Sequence, residues 1–298
     1  MVSRSLDGFR LSNGLKLRFV AGSAALGFYG IGWWWQLPLI WLGLIDPKLF
    51  TVVGKTITRD PIKFRWANFP WIRFVSGGVV NKWSLANPGI EVFQKKIASS
   101  QDEGLQFIAS IAPSPGVTSR EMLLSEIRDM VTRLNTLRLT GIEINVSCPN
   151  TGGQVFSREV VVSLATCAVQ HSRHPVLVKL SVAQDCVEIV EELSHIGRGT
   201  VHRVQGISIN CVPVSMRFGK KQYFFGGSGG VSGLPAQQQN WELFFRLSKQ
   251  NKIPVIAPSV MSKKDVEILV RGGATAVSMV ALFWVRPWCP KKIVRSFN

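Results

Sequence analysis

Residues 141–150 read GIEINVSCPN, and residues 176–180 read VLVKL. In each stretch a mostly apolar, partly β-branched run reaches a polar side chain near its end, Asn145 in the first and Lys179 in the second. Continuous apolar runs of this length are typical of parallel strands that helices cover on both faces. The two stretches therefore predict neighbouring strands of an α/β sheet with polar groups at their carboxyl ends.

The same pattern continues in both directions, because strand-like runs alternate with longer amphipathic segments. The predicted strands are Leu17–Ala21, Leu49–Val53, Leu105–Ile111, Ile142–Val146, Val176–Leu180, Gly206–Asn210, Pro254–Ala257 and Thr275–Met279. The predicted helices between them are Ser119–Leu137, Ser157–His171, Ala183–Ile196, Ala236–Lys249 and Lys263–Arg271. Eight such repeats indicate a closed (β/α)8 TIM barrel. We find no linker, so residues 1–298 are predicted to form a single domain.

Composition is consistent with one large core, since 46% of the 298 residues are hydrophobic and only 18% are charged. The formal net charge of +17 permits binding to nucleic acid, anionic lipid or small anions. However, the basic residues occur in pairs such as Lys220-Lys221 rather than in long blocks. A diffuse surface bias is therefore favoured, and nucleic acid is not an expected partner.

The five cysteines are scattered and form no CxxC pair, which argues against a disulfide framework or a zinc site. A reducing cytoplasm is the expected location. Met1–Lys16 is polar and does not resemble a signal peptide. Phe19–Ile45 is apolar for about the length of a bilayer span, but glycines and Pro38 interrupt it. We predict a strand, a loop and a short helix there, and no membrane partner.

Polar residues stand at or just after the carboxyl ends of four different predicted strands, namely Lys55, Asn145, Lys179 and Asn210. Cys148 lies in the loop beyond Asn145. In TIM barrels the chemistry is placed at the carboxyl ends of the strands, where the loops converge. One such residue is usually a solvated strand end, but four of them on separate strands predict a binding site at this end of the barrel.

Two motifs carry a family resemblance. Asn145–Asn150 has the form N-x-S-C-P-N, and Asn81–Gly89 has the form N-x-x-x-L-x-N-P-G. Both resemble motifs of the dihydroorotate dehydrogenase family, and further matching pieces follow in the same order: Gly54-Lys55-Thr56, Val178-Lys179-Leu180, Ile209-Asn210 and Gly229–Gly233. Cysteine at position 148 is similar to the soluble, cysteine-using class. The resemblance implies FMN-dependent oxidation of (S)-dihydroorotate to orotate in de novo pyrimidine synthesis.

The resemblance also implies roles for individual residues. Cys148 would be the base that removes the C5 proton while the hydride passes from C6 to flavin N5. The substrate-binding set would be Lys55, Asn81, Ser84, Leu85, Asn145, Asn150 and Asn210. Lys179 would lie against the flavin N1/O2 edge. The FMN-binding set would be Ala21, Gly22, Ser23, Lys55, Thr56, Asn145, Lys179, Ser232, Gly233, Ser259 and Ala281. The resemblance implies no metal. It does imply a homodimer and a partner subunit for electron transfer.

The sequence departs from the family pattern at the expected phosphate end of the flavin site. Ser259-Val260 stands where the family has two glycines, and Val280-Ala281 stands where it has glycine and a hydroxyl residue. Asn210 is followed by Cys211 instead of serine or threonine, and Trp83 replaces a smaller residue. Two alternatives therefore stay open. One is another FMN-dependent pyrimidine oxidoreductase, similar to dihydropyrimidine dehydrogenase or tRNA dihydrouridine synthase. The other is a barrel that has lost catalysis and acts as a binding protein.

Overall fold

The computed structural model describes residues 6–64, 66, 69–100, 104–147, 156–219 and 229–297. Eight parallel strands close into a barrel in the order β3, β4, β7, β8, β9, β10, β13, β14. They are β3 (Phe19–Ala21), β4 (Thr51–Val53), β7 (Gln106–Ile111), β8 (Gly141–Asn145), β9 (Val176–Leu180), β10 (Val204–Ile209), β13 (Val255–Ala257) and β14 (Ala276–Met279). The predicted TIM barrel is confirmed, and each predicted strand boundary lies within two residues of the observed one.

The described residues form ten α-helices between and after these strands. They are α1 (Leu37–Trp41), α2 (Gly89–Ser100), α3 (Arg120–Leu134), α4 (Arg158–His171), α5 (Cys186–Leu193), α6 (Val214–Phe218), α7 (Gln237–Gln250), α8 (Lys263–Arg271), α9 (Ala281–Val285) and α10 (Cys289–Arg295). The long helices bury one apolar face against the barrel, as α3 does with Leu123, Ile127 and Leu134. A capping box of Ser262 and Asp265 begins α8, because each side chain bonds the backbone N–H of the other residue.

The barrel interior changes from apolar to polar along the strands. Side chains at alternate positions of a strand share one face. Ile108 on β7 and Leu177 on β9 are buried in an apolar cluster at the amino end of the barrel. Two residues further along, the same faces carry Ser110 and Lys179, which are also buried. The strand period therefore delivers polar side chains to the carboxyl end, which we call the barrel mouth.

A second, four-stranded antiparallel sheet lies at the barrel mouth, in the order β11, β12, β6, β5. Its strands are β5 (Ile72–Val75), β6 (Gly78–Asn81), β11 (Val212–Pro213) and β12 (Gly230–Gly233). Since β6 belongs to the loop after β4 and β12 to the loop after β10, the sheet joins two loops that are distant in sequence. Glycine is needed at position 78, because a Cβ there would lie 2.2 Å from the carbonyl oxygen of Ser232.

The apolar segment Phe19–Ile45 forms β3, a loop and the five-residue helix α1, as the sequence predicts. Among the described residues, the structure contains no helix with the length and hydropathy needed to cross a bilayer. At the opposite end of the barrel, β1 (Phe9–Arg10) and β2 (Lys16–Leu17) form a short hairpin before β3.

Candidate active site at the barrel mouth

A continuous chain of hydrogen bonds crosses the barrel mouth. Asn210 Nδ2 donates to Ser147 Oγ (3.0 Å), and Ser147 Oγ donates to Asn145 Oδ1 (2.9 Å). Asn145 Nδ2 then donates to Thr56 Oγ1 (2.9 Å), which is 2.9 Å from Ser110 Oγ. These bonds hold the two amides that the sequence singles out, Asn145 and Asn210, in fixed orientations. Within the described residues, one Nδ2 hydrogen of Asn145 remains available to a ligand.

The chain ends on a buried carboxylate, that of Glu143 on β8. Ser110 Oγ donates to Glu143 Oε1 (2.8 Å), and Ser208 Oγ donates to Oε2 (2.6 Å). Lys179 Nζ lies 2.6 Å from Oε1, and both charged residues are at least 95% buried. An isolated charge at such depth would carry a large desolvation cost, and the ion pair and both hydroxyl bonds compensate the burial of the Glu143 carboxylate.

Glu143 is absent from the site residues that the sequence predicts, although the sequence contains a signal for it. It stands between Ile142 and Ile144 in a strand that is otherwise apolar. Glutamate is almost never fully buried unless it is paired. A glutamate in a strand that is buried on both faces therefore predicts a buried cationic partner, which the structure identifies as Lys179.

Lys55 forms a second polar corner, at the carboxyl end of β4. Its Nζ donates to the carbonyl oxygens of Ala86 (2.7 Å) and Ser84 (3.4 Å). Ser84 has a positive φ of 60°, a conformation that is uncommon outside glycine. The structure thus brings together Lys55, Ser84 and Leu85, which the resemblance groups around the substrate carboxylate.

Trp83 lies against this corner, with its ring 5.9 Å from Lys55 Nζ and 4.6 Å from the ring of Trp33. Its indole Nε1 is buried and has no hydrogen-bond partner among the described residues. Buried donors are nearly always paired, so an orphan beside Lys55 is a position where a ligand acceptor would fit. Asn81 Oδ1 accepts from the backbone N–H of Trp83 (2.8 Å) and bonds neither Asn145 nor Asn210 within the described part of the chain.

A small cavity of about 40 Å³ lies beyond the seventh and eighth barrel strands. The residues lining it include four that the resemblance assigns to FMN, together with three neighbours: Ser232, Gly233, Ser259, Ala281, Asn210, Asn240 and Val280. None of the described lining residues is basic. Val280 also closes the side toward β3, because a Cβ on Gly22 would lie 2.6 Å from Val280 Cγ2.

Backbone donors in the loop after β13 already have partners inside the protein. The N–H groups of Met261 and Ser262 donate to Asp265 Oδ2 (2.7 and 2.9 Å), and the N–H of Val260 donates to the carbonyl of Ser278 (3.3 Å). The Asp265 carboxylate therefore sits where these amides would otherwise receive an anion.

The remaining predicted site residues lie at the end of β3, just after it, or outside the residues that the structure describes. Ala21 is fully buried, and Ser23 Oγ donates to the Gly54 carbonyl (3.0 Å) and lies 3.5 Å from Thr56 Oγ1. Ser23 therefore joins the network at the mouth. Cys148 and Asn150 lie outside the described residues, so their roles stay predictions.

Two other cysteines provide a prediction about thiol reactivity. Burial raises the pKa of Cys186 to about 12 and also raises the pKa of Cys167. A raised thiol pKa keeps the group protonated, and the thiolate is the reactive form. At pH 8 we expect iodoacetamide to leave both thiols unmodified in the folded protein and to modify both in the urea-unfolded chain, as read by peptide mass mapping. Equal labelling of Cys186 in the two states would contradict this.

Comparison with known proteins gives a consistent picture. The sequence profile described as dihydroorotate dehydrogenase matches residues 55–298. The chain is 27% identical over 229 residues to the dihydroorotate dehydrogenase B (NAD(+)) catalytic subunit of Petrotoga mobilis, covering 74% of this chain and 73% of that protein. It is 27% identical over 254 residues to the same subunit of Halalkalibacterium halodurans, covering 81% and 78%. The ligand-free dihydroorotate dehydrogenase structure from Eimeria tenella has the same fold, with a TM-score of 0.74, 18% identity, and coverage of 99% and 88%.

Proposed function

This chain belongs to the dihydroorotate dehydrogenase family, and we propose that it oxidises (S)-dihydroorotate to orotate in pyrimidine synthesis. The family consists of FMN-dependent oxidoreductases that act on CH–CH groups, so the predicted family, enzyme class and cofactor are confirmed at that level. The proposal concerns the substrate and the residues of this particular chain.

The observation that carries the proposal is the connected network of buried polar groups at the barrel mouth. It holds two amides, Asn145 and Asn210, within one hydrogen-bonded assembly that ends on the Lys179–Glu143 ion pair. A pyrimidine ring presents alternating N–H and C=O groups, and amide side chains can both donate to and accept from them. Lys55 and the unpaired indole N–H of Trp83 supply donors for a carboxylate at the adjacent corner.

The donor set at the mouth fits the ring end of FMN. Lys55, Thr56, Asn145 and Lys179 would hold this end, since their ammonium, hydroxyl and amide groups suit the carbonyl and nitrogen atoms of the isoalloxazine edge. When bound, FMN supplies the acceptor for the hydride that leaves C6. The charge of Lys179, already partly balanced by Glu143, would stabilise negative charge at the ring edge.

The residues of this chain would supply binding, orientation and proton removal. The amides of Asn145 and Asn210 would orient the substrate ring, and Lys55 with the Ser84–Leu85 backbone would fix its carboxylate. Cys148 would accept the C5 proton, because a thiol loses its proton closer to neutral pH than a hydroxyl does. Its neighbour Ser147 is held by Asn145 and Asn210, which anchors the start of the loop.

The decisive experiment is anaerobic titration of the purified, FMN-loaded protein with dihydroorotate. We expect the flavin absorbance to bleach and orotate to form in equal amounts. Protein that binds FMN but is bleached only by NAD(P)H would favour another pyrimidine oxidoreductase and reject dihydroorotate as the substrate. Protein that cannot be loaded with FMN would contradict the proposal as a whole.

Val280 provides a prediction about the phosphate end. TIM barrels commonly bind phosphate at the loops after strands seven and eight, where this chain has Val280 packed on Gly22. Replacing Val280 by glycine should therefore allow at least one further charge-assisted hydrogen bond to the phosphate, which contributes about 1.5–3 kcal/mol, or roughly tenfold or more in Kd. Flavin fluorescence quenching should show tighter binding of Val280→Gly to FMN and unchanged binding to riboflavin. An equal increase in affinity for FMN and riboflavin would contradict the expectation. Val280→Ala serves as the matched control.

A partner subunit and a cytoplasmic location complete the proposal. The Petrotoga and Halalkalibacterium relatives are named as catalytic subunits, which supports a second subunit that carries electrons onward. We infer that this chain forms a homodimer and uses such a partner. The four cysteines in the described part of the chain are all free, as in proteins of a reducing cytoplasm.

A further inference from the structure

Three segments that connect or follow barrel strands expose large apolar side chains to solvent. Together these side chains form a surface that we call the aromatic face: Trp34, Trp41 and Leu42 from the loop after β3; Trp66, Phe69 and Phe74 from the loop after β4; and Trp288 after β14. Trp34 and Trp41 are 81% and 80% exposed, and Trp66 is 77% exposed. Soluble proteins seldom expose this many large apolar side chains on neighbouring loops without a binding role.

The three loops contact one another, so their exposed side chains lie on adjoining parts of the molecule. Trp66 and Phe69 pack on Trp71 with ring centroids 5.3 and 5.4 Å apart, and Trp71 packs on Phe64 at 5.1 Å. The ring contacts continue from Phe64 to Trp83 at 5.4 Å, and from there to Trp33 in the loop after β3. At the other side, the ammonium of Lys291 on α10 donates to the carbonyl of Gly43, just beyond α1.

All charged side chains in the same three loops are basic. Residues 22–45, 61–90 and 280–298 contain no aspartate and no glutamate, although the whole chain has 18 of them. They do contain basic residues, which are Lys63, Arg65, Arg73, Arg286, Lys291, Lys292 and Arg295, together with Lys82, which is buried and does not add to the surface charge. The nearest acids, Asp46, Asp60 and Glu91, stand at the loop borders, where Asp46 caps a turn, Asp60 pairs with Arg59 and Glu91 pairs with Lys95.

We propose that the aromatic face docks this protein on the surface of an anionic lipid bilayer. Tryptophan favours the boundary between hydrocarbon and water, because its ring is apolar and its N–H is polar. Basic side chains beside inserted aromatic residues add attraction to anionic lipid headgroups. This attachment lies on the membrane without crossing it. This mode needs no spanning segment, so the glycines and Pro38 that interrupt Phe19–Ile45 do not oppose it.

Vesicle sedimentation with the full-length chain tests the proposal. We expect binding to vesicles of phosphatidylcholine mixed with phosphatidylglycerol, weaker binding to pure phosphatidylcholine, and a blue shift of tryptophan fluorescence on binding. Trp34→Ser/Trp41→Ser should weaken binding about tenfold or more, because two deeply inserted rings are lost. Lys291→Glu/Lys292→Glu should weaken binding to the anionic vesicles and leave binding to the neutral ones unchanged.

The matched control removes exposed apolar side chains elsewhere, with Met122→Ser/Val201→Ser, which are 55% and 62% exposed and lie outside the aromatic face. This control should bind vesicles as the unmodified chain does. All three variants should have the same melting temperature as the unmodified chain. The proposal is overturned if the unmodified chain stays in solution with anionic vesicles at low salt. It is also overturned if the tryptophan variant binds normally, or if its only effect is to dissociate a protein oligomer, which would make the face a protein interface.

Discussion

Replacing Cys148 by serine is expected to slow the reduction of bound flavin by dihydroorotate by about 10²–10⁴-fold near pH 7, the range that general-base catalysis usually contributes. A cysteine thiol has an ordinary pKa of about 8.5, so a useful fraction can accept a proton near neutral pH. A serine hydroxyl ionises far less readily, and the variant should recover partly as the pH rises. The rate is measured by anaerobic stopped-flow absorbance of the flavin.

Cys211→Ser is the matched control for this experiment. Cys211 also lies at the barrel mouth, where its backbone N–H donates to Asn210 Oδ1 at 2.9 Å. The family pattern that the sequence resembles has serine or threonine at this position. The exchange should therefore leave the rate within about threefold of the unmodified protein, a smaller effect than the loss of one hydrogen bond. An unchanged rate for Cys148→Ser would remove Cys148 from the role of base, whatever the behaviour of the control.

Replacing Lys179 by methionine should destabilise the protein by about 3–5 kcal/mol, because it leaves the Glu143 carboxylate buried without its cation. For a chain of this size that corresponds to a fall in melting temperature of about 5–8 °C, which scanning calorimetry can follow. The physical cause is the desolvation cost of a carboxylate that retains only its two serine donors, Ser110 and Ser208.

Two further variants separate the loss of a partner from a general effect of losing lysine. Glu143→Leu/Lys179→Met removes both charges and should be more stable than Lys179→Met alone, since an apolar pair of similar volume often replaces a buried ion pair well. Lys95→Met breaks an exposed ion pair of similar length, 2.7 Å to Glu91, and should leave the melting temperature unchanged. A double variant less stable than the single one would contradict the explanation.

The barrel could be predicted from the sequence because its signals are local. Val176–Leu180 is an uninterrupted apolar run, and the residues of Lys263–Arg271 repeat at helical spacing; both are observed with the predicted boundaries. The β5–β6 hairpin is not predicted, since β6 is held by pairing with β12, about 150 residues further along the chain. A strand that depends on such a distant partner leaves little trace in its own sequence.

The candidate site likewise contains residues that the sequence predicts and residues that it does not. Asn145, Asn210 and Lys179 stand at strand ends, where position alone marks them as candidates, and the structure joins all three through one network. Ser110 and Ser208 are serines inside strands, without any local feature that distinguishes them from other serines. Their importance comes from Glu143, which lies 33 and 65 residues away in sequence. Only the closure of the barrel brings those hydroxyl groups to the carboxylate.

The sheet at the barrel mouth has a kinetic consequence. Four residue pairs join β6 to β12, so the loops after the second and sixth barrel strands share one hydrogen-bonded ladder. Neither loop can move away from the mouth without breaking bonds to the other. Asn81 and Ser232, which belong to this ladder, border the candidate site. We therefore expect the residence time of a molecule held there to depend on concerted opening of the whole sheet, because one loop cannot open alone.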